Sequence, residues 1–95
     1  MLSPSLLDSL DVLITRLCSP ASEDELRAGW TLEIKTNYAK WFQARRNLAM
    51  HGKLVPGYAL VRSLDMFGIG DGELLEEALH INREMSNAAK NALKP

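Results

Sequence analysis

Residues Ser22–Gly52 read SEDELRAGWTLEIKTNYAKWFQARRNLAMHG, and this stretch decides the fold. It opens with Ser22-Glu23-Asp24-Glu25. That is a capping box: the serine side chain serves the amide three residues on, the glutamate reaches back, and the acids face the positive end of the helix. Leu26, Trp30, Ile34, Tyr38, Trp41, Leu48 and Ala49 then fall on one broad helical face. Gly52, after His51, is a C-terminal stop. Read as one unbroken helix, the stretch is ~45 Å long at 1.5 Å per residue. Gly29 and the run Thr31, Leu32, Ile34, Thr36 weaken that continuity. A break near Gly29, or a short strand at Trp30–Lys35, is the alternative. The stretch holds four of the chain's six aromatic residues and five of its eleven bases, so it must build a core and is free to present a surface as well.

Outward from it, the N-terminal segment begins Ser3-Pro4, with serine as N-cap and proline at the first helical position. Leu6, Leu7, Leu10, Leu13, Ile14 and Leu17 make one buried stripe, and Ser19-Pro20 ends it. On the other side, Pro56-Gly57 predicts a turn and Tyr58–Phe67 a short helix. Gly68-Ile69-Gly70-Asp71-Gly72 is a connector, with Asp71 a candidate N-cap for a last helix. That helix carries Leu74, Leu75, Ala78, Leu79, Asn82, Met85, Ala88, Ala89, Ala92 and Leu93 on one face. The fold expected is all-α: a small single-domain helical bundle of three to four helices with one long central helix, spanning residues 1–95.

The composition is that of a folded globular chain, with 46% apolar and 24% charged residues. The net charge of −1 conceals a pattern. Residues 1–26 carry one base against five acids, residues 27–62 seven bases against one acid, and residues 63–95 three bases against six acids. A basic middle between acidic ends reads either as complementarity among packed helices or as a face for an acidic partner or a phosphate backbone. Cys18 is the one cysteine, so no disulfide framework exists, and a buried or half-buried structural thiol is expected there. No apolar run approaches the ~18 residues of a membrane span. The start also lacks the basic region of a signal peptide, with Asp8 and Asp11 interrupting its leucines. The expectation is a cytoplasmic protein.

No motif carries catalysis. His51 lies in the last turn before Gly52, where an imidazolium suits the helix dipole. His80 stands four residues from both Glu76 and Glu84, on the same helical face. Neither histidine has metal-ligand spacing around it. Gly68-x-Gly70-x-Gly72 lacks the spacing of a dinucleotide loop and the Gly-Lys-Ser/Thr of a P-loop, and Asp71 within it repels phosphate. The chain reads as a non-enzyme, with no catalytic, cofactor or metal residue assigned.

Two binding classes remain. Lys35, Lys40, Arg45, Arg46, Lys53 and Arg62 could meet phosphates, with Trp41 stacking on a base. Against this nucleic-acid-regulator reading, helical spacing scatters these bases and the pI is near 6.1. The favoured reading is a protein-binding module of the kind that serves as a small helical inhibitor, an antitoxin or immunity protein, or a chaperone for a cognate protein. Trp, Tyr and Arg are the residues enriched in binding hot spots. Tyr38, Trp41, Phe42, Arg45 and Arg46 crowd two turns of the second segment and form the candidate partner patch. Self-association as a homodimer is a further candidate.

Overall fold

Ser3 and Pro4 start the first helix as their chemistry dictates. The Ser3 side chain accepts from the Leu6 amide, and Pro4 opens α1, Pro4–Cys18. In the computed structural model, which describes residues 2–55, 63–64, 66–70 and 72–92, this helix packs against two others. Leu10, Leu13 and Leu17 are sealed in the core, with Leu6, Leu7 and Ile14 packed at its edge. Ser19, before Pro20, ends the helix.

The Ser22 capping box forms with both of its hydrogen bonds, but the helix it starts, α2, runs only over Glu23–Arg27. The long helix expected over Ser22–Gly52 is therefore two helices. Gly29 has φ +103°, the Trp30 amide donates to the Glu25 carbonyl, and the Gly29 amide donates to the Leu26 carbonyl. This is the Schellman closure, which needs a residue with positive φ at the position Gly29 fills. Thr31 then restarts the chain, its side chain accepting from the Ile34 amide at the head of α3, Leu32–Met50. The break at Gly29 turns Trp30 inward, where its ring meets that of Tyr38 edge-on at 5.9 Å. It also leaves Leu26 exposed, a correction to the shared face expected for Leu26 and Trp30.

At the far end of α3 the same closure recurs, with Gly52 at φ +68° and the Lys53 amide on the Leu48 carbonyl. Residues 63, 64 and 66 are helical, and Leu64 and Ile69 are buried. The expected Pro56-Gly57 turn, most of the Tyr58–Phe67 helix, the Asp71 cap and Leu93 lie outside the described residues. The last helix, α4, Glu73–Ala92, buries Leu74, Leu75, Ala78, Ile81, Met85 and Ala89.

Four helices and no strand are present among the described residues, so the fold is all-α. The one long central helix expected over Ser22–Gly52 is not seen, since α3 has 19 residues against 20 in the last helix and it is α1 that packs against two others. α1 lies against both α3 and α4. No helix among the described residues is long and apolar enough to cross a membrane.

Candidate functional site

The side chains of α3 sort by angle around the helix. At 100° per residue, Lys35, Phe42 and Ala49 share the centre of its inner face, with Tyr38, Ala39 and Arg45 beside them. All six are buried. Ile34, Trp41 and Leu48 also repeat every seven residues, but on a flank turned away from that centre. Ile34 and Trp41 are half-buried, and Leu48 is 41% exposed.

The structure divides the candidate partner patch between these two surfaces. Phe42 is fully buried, with its ring edge-on to Trp41 at 4.8 Å. Tyr38 is buried between Trp30 and Phe67, and its hydroxyl is hydrogen-bonded to that of Ser63. Arg46 donates from Nε to Asp11 Oδ1 at 2.7 Å, tying α3 to α1. Trp41 remains partly open, and the Arg45 guanidinium lies over its ring, 5.0 Å from the centroid. Arg45 Nη2 also donates to the Val55 carbonyl at 3.2 Å. That bond holds the exposed Val55 side chain near the end of α3. The five residues thus do not form one surface. Trp41 and Arg45 lie against each other, Phe42 packs edge-on behind Trp41, and Tyr38 and Arg46 are engaged elsewhere.

The interior holds an ion cluster that the sequence reading did not anticipate. Lys35 Nζ donates to Glu25 Oε1 at 2.6 Å and to the Pro20 carbonyl at 3.3 Å. Glu25 Oε2 accepts from Arg16 Nε at 3.1 Å, and Arg16 Nη1 reaches Glu77 Oε2 at 2.9 Å. One chain of charges therefore joins all four helices. Burial pushes the Glu25 carboxyl up, but the hydrogen bonds from Lys35, the Ser22 amide and Arg16 outweigh it and hold the group below its ordinary value. Desolvation works against the Arg16 cation, and its bonds to Glu25 and Glu77 raise it nonetheless. Lys35 is thus an interior residue, a correction to its reading as a phosphate contact.

The same geometry bears on nucleic-acid binding. Lys35 and Arg45 are buried, and Arg46 is engaged by Asp11. Lys40 and Lys53 are exposed, and Arg62 lies outside the described residues. The cleft of about 230 Å³ between α1, the α2 region and the start of α4 is walled by Asp24, Glu25 and Glu73 as well as Arg16, which disfavours an anion.

Cys18 is exposed and free, where a buried or half-buried thiol was expected. It is the last residue of α1, rotated off the Leu10–Leu13–Leu17 stripe. His51 Nδ1 pairs with the Asn47 carbonyl at 2.8 Å, and His80 is exposed on α4. Among the described residues no group of three or more His, Cys, Asp or Glu is placed to hold a metal ion. A second exposed apolar group, Leu26, Leu32, Met66 and Phe67, belongs to the segments that meet at the Gly29 corner.

Comparison of the chain with known families, with curated proteins and with solved structures finds no match.

Proposed function

We propose that this chain is a non-enzymatic protein-binding module whose contact surface is the outer flank of α3. The observation that carries the reading is the stripe Ile34, Trp41 and Leu48: the first two are half-buried at the edge of the core beside Arg45, and Leu48 is exposed, as is Val55 beyond it. A helix that packs one face needs apolar residues on that face alone. α3 carries a complete inner face and a second apolar stripe besides. A half-open tryptophan with an arginine on its ring is the kind of anchor that dominates protein interfaces. A cognate protein partner is the favoured occupant, consistent with a small inhibitor, antitoxin, immunity or chaperone role.

The test is affinity capture from the native source with the wild-type chain and with Trp41→Ala and Leu48→Asp. The partner retained by the wild type is expected to bind Trp41→Ala more weakly by ~2 kcal/mol, or about 30-fold. The helical circular dichroism of both variants should stay intact. If both variants unfold, the stripe is core and the reading fails. If both stay folded and bind as the wild type does, the surface lies elsewhere. A ligand that proves to be nucleic acid, with affinity collapsing as salt rises, would overturn the reading in favour of a regulator using Lys40 and Lys53.

A further inference from the structure

α3 buries two cations on its inner face, and their surroundings differ. Lys35 is neutralised by Glu25 at 2.6 Å. Arg46, half-buried on the same side of the helix, is neutralised by Asp11 at 2.7 Å. Arg45 is 8% exposed, yet no carboxylate among the described residues pairs with it. Among the described residues its polar and ring contacts are one backbone carbonyl, from Val55, and the face of Trp41. Its Nε–H is sealed from solvent, with no acceptor among the described residues. An arginine stays charged at neutral pH. A buried cation ordinarily has a counter-charge, because neither a carbonyl nor a ring replaces the water it has lost. A cation–π contact offsets only part of that loss.

Building on the protein-binding reading of this flank, we propose that Trp41 and Arg45 form a receptor for a carboxylate, supplied by an acidic side chain of the protein partner. Trp41 fixes the plane of the guanidinium, and the Val55 carbonyl holds Nη2, so the fork is oriented before the partner arrives. A pre-oriented fork loses little freedom on binding and recognises the two oxygens of a carboxylate together. The apolar stripe around it excludes water and strengthens the pair. Such a group is retained at a cost to the free protein, so removing it should relieve the fold while abolishing recognition.

Titration of the full chain with a capped pentaglutamate peptide, followed by nitrogen-15 NMR, tests this. The Arg45 Nε–H and Trp41 Nε1–H signals are expected to shift saturably. A capped pentaglutamine peptide should leave them in place. Arg45→Met should abolish the response and melt at or above the wild-type temperature. Shifts of equal size with both peptides, or with sulfate as well as with pentaglutamate, would overturn carboxylate recognition. So would the absence of any shift. A melting temperature for Arg45→Met lower by about 10 °C or more would show that the guanidinium is satisfied within the fold, which also overturns it. If Leu48→Asp loses the captured partner while Arg45→Met keeps it, the protein-binding reading stands and the carboxylate receptor falls.

Discussion

Replacing Glu25 by Gln removes one charge from the centre of the molecule and changes almost nothing in shape. In the native protein that carboxylate serves three donors: Lys35 Nζ, Arg16 Nε and the Ser22 amide. The glutamine oxygen can still serve Lys35 and the Ser22 amide. Its NH2 then faces Arg16 Nε, a donor against a donor. Arg16 keeps Glu77, at 2.9 Å. Lys35 keeps two neutral acceptors, the glutamine oxygen and the Pro20 carbonyl, but no counter-charge, with a side chain only 1% exposed. Breaking a buried pair from one side costs about 3–5 kcal/mol. For a domain of this size each kcal/mol is worth about 4–8 °C, so the melting temperature should fall by at least ~12 °C. Lys35→Met is the milder change, because Glu25 keeps Arg16 and the Ser22 amide. The double variant removes both charges together and should recover much of the loss. Urea and thermal unfolding followed by circular dichroism give all four corners of the cycle. A loss below ~1 kcal/mol for Glu25→Gln, or simple additivity in the double variant, would refute the picture of Lys35 as a sealed cation held by one carboxylate.

Acid should act through the same group. The folded Glu25 carboxyl titrates below its ordinary value, so its contribution is fully present above the unfolded value of about 4.3. That contribution is lost as pH falls through the folded value. Unfolding free energy should therefore decline below about pH 4.3, with a shallower decline in the Glu25→Gln/Lys35→Met variant as the check. Gly29→Ala places a Cβ 3.3 Å from Ile69 Cγ1 at φ +103°. It should cost about 1–3 kcal/mol in urea unfolding, and a neutral result would show that the α2–α3 corner can re-form without positive φ. The Cys18 thiol should react with an aromatic disulfide reagent in native buffer nearly as fast as in urea. Strong protection would show that the end of α1 is covered, as a dimer would cover it.

Helix starts and stops were legible because they rest on local chemistry. Ser3-Pro4, the Ser22–Glu25 box and Gly52 each needed only their nearest neighbours to act. Gly29 was visible as a weak point, but the full capping box ahead of it supported helix as strongly as the glycine opposed it. The tertiary position of Trp30 accompanies the break: its ring packs on Tyr38 only when the chain turns at Gly29. The role of Lys35 was partly written in the sequence. Its seven-residue spacing from Phe42 and Ala49 puts it in the middle of the inner face, where a lysine demands a carboxylate. Nothing local says that the carboxylate is Glu25, because that glutamate already has a complete role as a capping residue. Tyr38, Trp41, Phe42, Arg45 and Arg46 could be grouped by type and proximity. Which face each one took depended on where α1 lies, and the α3 sequence does not contain that.

Lys35 and Arg45 show how one helix can use a buried cation in two ways. Both stand on the inner face of α3, ten positions apart, and both have given up water. Lys35 meets a carboxylate carried by α2 and anchors that short helix to the core. It is closed electrostatically, and a partner has nothing to add. Arg45 meets an aromatic face and one carbonyl, at the edge of the inner face nearest the Trp41 flank. If burial alone had set both residues, a methionine at position 45 would fill the same space without the desolvation cost. No counter-charge for the arginine lies among the described residues, and it is intelligible when one comes from outside. Trp41 beside it and Leu48 beyond supply the apolar surround that makes such a pair strong. The two sites therefore predict opposite responses to removing charge. Glu25→Gln should weaken the fold by stranding Lys35, whereas Arg45→Met should leave the fold at least as stable and cost only the partner.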